Sequence, residues 1–577
     1  MDLLILPPRA RDLVEFGGDS SKSFLPIQPH ANYLIEKFPN QNHSIDCIFY
    51  HGEFFLQNPN RIEKQISEHL RFLKDDGQIT IYIENPAFID QIALQIRNQS
   101  QPIGLSLNLI AGILQKLHLQ VYIRPITLPQ DQARIEQLKS DSLVQSMLKI
   151  NGGNLSTIFA RGFCIYAAKN VQPRMILQTV CGEVLVTSRP RIEEPDQFMQ
   201  TVPNVTILEY KPDGKPLTVN SEKAAKFFIR QRCRYTSFDT AMKQMTSLFR
   251  AGYLIVAEQD DWISIWMDQY KALGFLDFIG AHGIQTSTPT LKTRFSELNP
   301  EVKIFENHLK QLPLPRDYDE EDRNNPDNSV TIFYGALNRW KDCQEIIPVL
   351  NELCEKYPNV KIHVIADTKF FGALTTKNKL YFKHEKTGVL YIPYEFYLQT
   401  MRKSDIILMP LSNNEFNVGK SDIKFLEASA QGVATIASPT VYSDTIEDGK
   451  TGFIYHSPEE FRSKLEILIT NSKKRREMAR AAYDYVKENR MLADHYMERV
   501  NWYWDLQRRR EELSKSIGHR IEEKIPKKYF EPMFRGVPQF FSKNFDEIAD
   551  VDFSEDQIKD AQKSSSSSLM EYLTGGE

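Results

Sequence analysis

Short apolar runs alternate with helix-period segments along most of the chain. The pattern is most regular over residues 330–437, where strand-like runs such as VTIFYG and IILMPL are each followed by an amphipathic segment such as SDIKFLEASAQG. Apolar strands that alternate with helices predict a parallel sheet covered by helices. We therefore predict a doubly wound, Rossmann-like α/β domain over residues 330–490.

Residues 151–312 predict a second α/β domain. The segments MILQTVC, GYLIVAEQ, AHGIQTST and VKIFENHL have the apolar character of strands. STPTLKTRFSELNP combines a capping residue, a proline in the first turn and a helix-period pattern, so it predicts a helix. Residues 313–329 are rich in proline and acidic residues, which is typical of a linker. Residues 491–577 predict C-terminal helices followed by a flexible, serine-rich tail.

Residues 1–150 predict a further, N-terminal α/β domain. IDCIFYHGEF and QITIYIE predict strands, and RIEKQISEHLRFLKDDG predicts an amphipathic helix that ends at Gly77. This order resembles the back half of a class I methyltransferase. The stretch RDLVEFGGD resembles that family's first strand and glycine loop, but too few residues follow it for the strand that would hold the cofactor ribose. We predict a degenerate, structural domain that does not bind S-adenosylmethionine, with an active methyltransferase as the alternative.

Composition excludes several classes of protein. The formal net charge is −4 and the pI is near 6.4, so no basic excess indicates nucleic-acid binding. The six cysteines form no CxxC pair, which disfavours a zinc or redox site and fits a reducing compartment. The most apolar long window, LSLNLIAGILQKLHLQVYI, is interrupted by polar residues and fails as a membrane span. Because the N-terminus lacks the features of a signal peptide, we expect a cytoplasmic protein.

Candidate chemistry follows two strands of the most regular domain. The loop after VTIFYG carries Arg339 and Lys341, whose side chains could bind a diphosphate together with helix N–H groups. The stretch NVGKSDIKFLEASAQG follows IILMPL, and in it Ser421 or Asp422 is expected to cap a helix beside Lys420. Glu427 lies on the same helix among apolar and small residues. A carboxylate there is rarely buried without a partner, so we expect it to face a cavity or a partner.

These pieces resemble the retaining GT-B glycosyltransferases, especially the family-four group. The matching segments are YGALNRWK, MPLSNNEFNVGKSDIKFLEASAQGVATIAS, EDGKTGFIY and, before the linker, FENHL. The resemblance implies a donor site that begins at Gly335, with Lys341 on the donor diphosphate and Glu427 on the ribose. Two positions depart from the family pattern. Ala336 replaces an arginine, for which Arg339 could substitute, and Gly419 replaces the glutamate that would contact the donor sugar.

The predicted acceptor side lies in the 151–312 domain. Glu258, Asp260 and Asp261 follow the strand YLIVAE, and His282 stands at another strand end. We predict that these four line the acceptor side, although a histidine at a strand end is more often structural. The main rival is a GT-A transferase, in which such an acidic cluster binds a metal.

The sequence thus predicts an α/β protein of GT-B fold with an extra N-terminal domain. Its predicted function is sugar transfer from a nucleotide-sugar to a hydroxyl acceptor, metal-independent and retaining, in cell-surface polysaccharide or glycoconjugate biosynthesis. Lys341 and Lys420 are the predicted catalytic residues, and no metal or resident cofactor is expected. Glycan, lipid-linked and protein acceptors stay open, with peripheral membrane association as one option. The alternatives are a non-catalytic glycan- or nucleotide-binding scaffold and a bifunctional methyltransferase-glycosyltransferase.

Overall fold

The computed structural model describes residues 11–16, 32–35, 37–39, 41–84, 107–126, 160, 162–169, 173–182, 188–209, 224–318, 327–336, 339–382 and 392–524. The predicted glycine loop after Phe16, much of the predicted linker and the serine-rich tail lie outside these residues. The chain divides into two compact units. The first comprises residues 1–176, 196–207 and 223–225, and the second comprises residues 177–195, 208–222 and 226–577.

The first unit contains a six-stranded sheet with the order β2-β1-β3-β4-β6-β5. Its strands are β1 (Asp12–Phe16), β2 (Asn32–Ile35), β3 (Ile45–His51), β4 (Leu73–Glu84), β5 (Gln120–Ile126) and β6 (Gly162–Ala168). Strands β1 to β4 pair in parallel, whereas β6 is antiparallel to both of its neighbours. Its helices are α1 (Pro59–His69) and α2 (Leu107–Lys116). Strand β6 lies beyond residue 150, so this sheet extends past the predicted domain boundary.

The helix that the sequence predicts to end at Gly77 ends earlier in the structure. Helix α1 ends at His69, and β4 already begins at Leu73, which is buried and pairs with Ile45 of β3. Gly77 therefore lies inside a strand. A Cβ atom at Gly77 would come within 3.0 Å of the Asp46 carbonyl oxygen, so the residue permits close strand contact rather than ending a helix.

Two further six-stranded sheets lie mainly in the second unit. The second sheet has the order β12-β11-β10-β9-β7-β8 and the third has the order β15-β14-β13-β16-β17-β18. Strands of the second sheet are β7 (Met175–Cys181), β8 (Val205–Glu209), β9 (Ala225–Gln231), β10 (Tyr253–Glu258), β11 (Gly283–Thr286) and β12 (Val302–Ile304). Strands of the third sheet are β13 (Val330–Gly335), β14 (Val360–Ile365), β15 (Lys379–Phe382), β16 (Ile406–Met409), β17 (Ala434–Ala437) and β18 (Phe453–Ile454).

The pairing in the third sheet is parallel throughout. The remaining helices are α3 (Glu194–Met199), α4 (Phe238–Arg250), α5 (Met267–Ala272), α6 (Leu276–Ile279), α7 (Pro289–Ser296), α8 (Trp340–Cys343), α9 (Ile347–Lys356), α10 (Thr368–Ala373), α11 (Tyr394–Arg402), α12 (Ile423–Ala430), α13 (Pro439–Tyr442), α14 (Pro458–Thr470), α15 (Ser472–Asn489), α16 (Leu492–Arg508) and α17 (Arg510–Lys524). The predicted α/β class with parallel sheets is therefore confirmed, and the strands and helices of the most regular region lie where the pattern predicts them.

A buried polar network joins the second sheet to the third. Arg191 pairs with Glu258 at 2.7 Å, both side chains having no exposed surface, and Arg191 also donates to Asn307 Oδ1 at 3.0 Å. Arg490 forms two hydrogen bonds with the Asp422 carboxylate, of 2.7 and 3.0 Å, and donates to the Asn307 carbonyl. Asn307 is thus held by a buried arginine at its side chain and by another at its backbone.

Replacement of Arg490 by methionine should lower the unfolding temperature of the full chain, because the buried Asp422 carboxylate then loses its cation. Removal of one partner from a buried ion pair costs about 3–5 kcal/mol. Differential scanning calorimetry measures the shift. The matched control is Arg508→Met, which removes an exposed pair with Asp505 that is worth about 0–1 kcal/mol. Equal shifts for the two variants would contradict the prediction.

Candidate functional site

The order of strands in the third sheet reverses between β13 and β16. From β13 the chain adds β14 and β15 on one side, and from β16 it adds β17 and β18 on the other. Ligands of open parallel sheets bind at the carboxyl ends of the strands at such a point. Gly335 ends β13 there, and a Cβ atom in its place would lie 2.7 Å from the Tyr397 ring, so only glycine fits without a shift of that ring. The predicted donor site therefore coincides with the switch point.

Helix α12 begins at this switch point with its N-terminal N–H groups uncapped by a side chain. Its N-cap residue is Asp422, one of the two predicted, but the carboxylate makes no capping hydrogen bond because it binds Arg490 instead. Ser421, the other predicted cap, accepts a hydrogen bond of 2.7 Å from Asn307. The first N–H groups of a helix have no partners within the helix and carry partial positive charge. The start of α12 therefore retains donors that an anion can use.

Two predicted cations, Arg339 and Lys420, are held near α12 by carboxylates. Arg339 donates to Asn417 Oδ1 at 2.8 Å and pairs with Asp342 at 3.2 Å. Lys420 Nζ lies 2.6 Å from Asp261 Oδ1, and burial together with the charge of Arg339 lowers the pKa of Lys420, although Asp261 opposes that effect. Both cations are thus already neutralised by ion pairs.

Lys341, predicted to bind the donor diphosphate, is exposed in the first turn of α8. It makes no hydrogen bond or ion pair with any other described residue. The diphosphate-binding role of Lys341 therefore stays a prediction from the resemblance.

Lys424 is a further cation that the motifs did not predict. It lies in the first turn of α12, and its Nζ donates to the Gly335 carbonyl at 3.0 Å, so it reaches from the helix to the end of β13. Burial and the charges of Arg339 and Lys420 lower the pKa of Lys424 to about 8. Lys424 precedes Glu427 by three residues, and residues at that spacing share one helix face, so the spacing alone could have identified it.

Glu427 is buried and has a partner, Tyr394. Burial raises the pKa of its carboxyl group to about 7, while Tyr394 and Lys424 oppose the rise. The Tyr394 hydroxyl donates to Glu427 Oε1 at 2.8 Å, and the Arg189 guanidinium stacks 4.2 Å from the centre of the Tyr394 ring. Among the described residues no hydrogen bond reaches Oε2. Sequence reasoning missed Tyr394 and Arg189, because they approach Glu427 from distant segments.

Asp260 and Asp261 form a charge cluster at the carboxyl end of β10. Arg232 makes two hydrogen bonds with Asp260, of 2.6 and 3.0 Å, and one with Asp261 of 2.9 Å. Asp261 also holds Lys420, so it links the second sheet to the segment before α12. Arg232 itself has a left-handed backbone with φ of 49°. Arg232 and Lys420 therefore balance the charge of these two carboxylates.

Glu258 and His282 do not face an acceptor side, which corrects their predicted role. The Glu258 side chain is fully buried and forms an ion pair with Arg191. His282 is buried, and its Nδ1 accepts a hydrogen bond of 2.9 Å from the Ile255 N–H. Burial lowers the pKa of His282 to about 3, so the ring is neutral. Both residues stabilise the interior of the second sheet.

The described part of the chain lacks two further features. It contains no group of three or more histidine, cysteine, aspartate or glutamate side chains that could hold a metal ion. None of the helices within it is long and apolar enough to cross a lipid bilayer.

Comparison with known proteins bears on this site. Residues 316–485 match the family model Glycosyl transferases group 1. Two curated relatives match part of the chain: D-inositol 3-phosphate glycosyltransferase of Corynebacterium aurimucosum, 24% identical over 169 residues, and an uncharacterized glycosyltransferase of Methanocaldococcus jannaschii, 26% identical over 164 residues. The matches cover 28% and 27% of this chain and 39% and 40% of the relatives. The chain thus spans about two fifths of their length.

A solved structure is also similar to this chain. The crystal structure of Anabaena HepE in complex with UDP and glucose aligns with a TM-score of 0.42 at 13% identity. The alignment covers 58% of this chain and 100% of the HepE chain. The residues that match the family model, 316–485, include Gly335, Glu427 and the cations around them. The parallel pairing of the third sheet and the family match over residues 316–485 bear out the predicted α/β class.

Replacement of Glu427 by glutamine should stabilise the protein at high pH. The pKa of Glu427 is raised from 4.5 to about 7, so its favourable contribution is complete below pH 4.5 and is lost as the pH rises through about 7. Each tenfold change in proton affinity is worth about 1.4 kcal/mol, so the loss is roughly 3 kcal/mol above pH 7. Thermal unfolding of both proteins from pH 4.5 to 8.5 measures the difference. The control Glu488→Gln, at an exposed site on α15, should show no such trend. A constant difference across that range would contradict the prediction.

Proposed function

We propose that this protein is a glycosyltransferase that moves a sugar from a nucleotide-sugar donor to a hydroxyl acceptor. One observation carries the proposal. A buried carboxylate and a group of cations meet at the strand-order switch point of a group 1 glycosyl transferase domain. Buried ionisable groups with shifted pKa values concentrate at functional sites, and here the shifted groups surround the place where a parallel sheet binds its ligand.

Glu427 is the proposed ligand of the donor ribose. Its Oε1 is already occupied by Tyr394, whereas Oε2 receives no hydrogen bond from the described residues. A ribose hydroxyl that donates to Oε2 would supply the missing partner and would favour the ionised form of the carboxyl group. The destabilising charge of Glu427 is then explained by ligand binding.

The leaving diphosphate needs positive charge where its own negative charge develops. Arg339, Lys420 and the N-terminus of α12 supply that charge from different elements, and we propose Lys341 as a further contact on the strength of the family resemblance. Preorganised donors of this kind stabilise a transition state without reorganisation. We therefore propose that transfer needs no metal ion.

The acceptor is proposed to approach from the carboxyl end of β10. Asp261 lies there, 2.6 Å from Lys420, so an acceptor hydroxyl held by Asp260 or Asp261 would lie close to the leaving group. A retaining outcome, with the hydroxyl positioned by the donor phosphate, is proposed from the family resemblance. Proton NMR of the anomeric product would test it, and inversion would contradict it.

A non-catalytic nucleotide- or glycan-binding scaffold is the second candidate. It is favoured by Gly419, which stands where the resembling family has a carboxylate that contacts the donor sugar. The two candidates differ in turnover: a transferase releases nucleoside diphosphate from a nucleotide-sugar, whereas a scaffold only binds it.

Titration of the full chain with UDP, GDP, ADP and CDP in buffer that contains EDTA should find a nucleotide that binds. Glu427→Gln should weaken that nucleotide about ten- to a hundredfold, because a charge-assisted hydrogen bond is worth about 1.5–3 kcal/mol. The same variant should bind the 2′,3′-dideoxy nucleotide as wild type does, since the ribose diol is absent. Glu488→Gln is the control. Equal losses for the two nucleotides would remove Glu427 from the ribose site, and binding only after manganese is added would contradict metal independence.

We also propose that the first unit is a methyltransferase-like sheet with a structural role. The proposal is supported by the parallel strands β1 to β4 and by the buried contact between Glu15, at the end of β1, and His51, at the end of β3. Because too few residues separate the predicted glycine loop from β3 for the strand that would hold the cofactor ribose, S-adenosylmethionine is not expected to bind the full chain in calorimetric titration. Tight binding would favour the bifunctional alternative.

A further inference from the structure

Three basic side chains around the switch point differ in how their charges are balanced. Lys420 pairs with Asp261 at 2.6 Å, and Arg339 pairs with Asp342 at 3.2 Å. Lys424 forms no ion pair with any described residue, and the hydrogen bond it makes is to the carbonyl oxygen of Gly335. An ammonium group has three donors, so one neutral acceptor leaves most of its capacity unused. Lys424 is therefore the cation of this group that is not in direct contact with a carboxylate.

The position of Lys424 suits an anionic ligand. It lies in the first turn of α12, where Asp422 leaves the helix N-terminus uncapped, and its Nζ reaches the end of β13. Helix N–H groups, the helix dipole and a lysine ammonium together form a phosphate site. Lys424 brings its charge to the strand end that the sheet order marks as the ligand site, whereas Lys341 is exposed on α8.

We propose that Lys424 is a donor-binding residue whose ammonium group contacts the diphosphate of the donor nucleotide between β13 and β16. The inference rests on the proposed function and adds a residue that the family motifs did not indicate. In this arrangement Lys424 binds the diphosphate of the intact donor, because no ion pair has to break first. Lys420 can contact the diphosphate only after its ion pair with Asp261 breaks.

The charged groups that face Lys424 make its contribution dependent on pH. They are Arg339 before α8, Asp342 on α8, Lys420 before α12 and Glu427 on α12. Burial and the two cations hold the pKa of Lys424 near 8, so the free protein loses this charge as the pH rises above that value. An arginine at the same position stays protonated over the whole accessible range.

The test uses the full chain and the nucleoside diphosphate that binds best in the titration above. Lys424→Met should weaken the diphosphate at least tenfold and should leave the phosphate-free nucleoside, measured by saturation-transfer NMR, unchanged. The control is Lys403→Met, at an exposed lysine that follows α11. Wild-type affinity for the diphosphate should fall as the pH rises through about 8, and the affinity of Lys424→Arg should not. Should Lys424→Met fail to fold, the pH profile of Lys424→Arg decides.

Each outcome bears on one proposal. Diphosphate binding that is unchanged in Lys424→Met, or weakened equally for diphosphate and nucleoside, would overturn the role of Lys424 and leave the proposed function intact. A fall in affinity with pH that persists in Lys424→Arg would also overturn it. A wild-type chain that binds no nucleoside diphosphate would instead overturn the proposed function, and this inference with it.

Discussion

The hydrogen bonds of Asn307 hold the second and third sheets in one arrangement. Its side chain receives a hydrogen bond from Arg191, whose own charge is balanced by Glu258, and its backbone carbonyl receives one from Arg490. In addition, its amide donates to Ser421. Buried charges need both an opposite charge and full hydrogen bonding, so these partners are not interchangeable. The start of α12 is therefore positioned by residues of both sheets.

This arrangement leaves the N-terminus of α12 without a side-chain cap. An aspartate at the N-cap ordinarily accepts hydrogen bonds from the first turn. Asp422 instead uses its oxygens for Arg490 and for the Thr445 hydroxyl, which donates at 2.7 Å. The same residue thus stabilises the junction of the sheets and leaves the helix donors available. Because the Asp422 carboxylate points to Arg490 and not to the first turn of α12, it contributes to stability without occupying the helix N–H groups.

The strands and helices were predictable because they depend on local pattern. Runs such as IILMPL have few alternatives to a buried strand, and α12 follows from its apolar period and the glycine after it. The site was predictable only in part. Glu427 could be identified because it is a carboxylate in an otherwise apolar helix. Lys424 could have been identified by its spacing of three residues from Glu427, which places both on one helix face.

Partners that are distant along the chain left no signal in the sequence. Arg189 reaches Tyr394, and Asp261 reaches Lys420, through tertiary contacts that local periodicity does not encode. Glu258 and His282 were assigned to the acceptor side because they stand at strand ends. Their burial follows from Arg191 and from α17, whose Ser514 hydroxyl lies 3.3 Å from His282 Nε2, and neither partner could be inferred from the neighbouring residues.

The balance of charge around α12 separates binding from catalysis in physical terms. A cation already paired with a carboxylate gains little from a bound anion, because it loses one favourable contact as it makes another. A cation without such a partner gains the full interaction, so Lys424 is suited to hold the ground-state donor. Lys420 has to give up Asp261 before it can act on an anion, so its contribution would be largest where the negative charge beside it is greatest, which is as the diphosphate of the proposed donor departs. An interaction that strengthens only toward the transition state raises turnover rather than affinity. The ion pair between Lys420 and Asp261 therefore makes Lys420 the better candidate for catalysis.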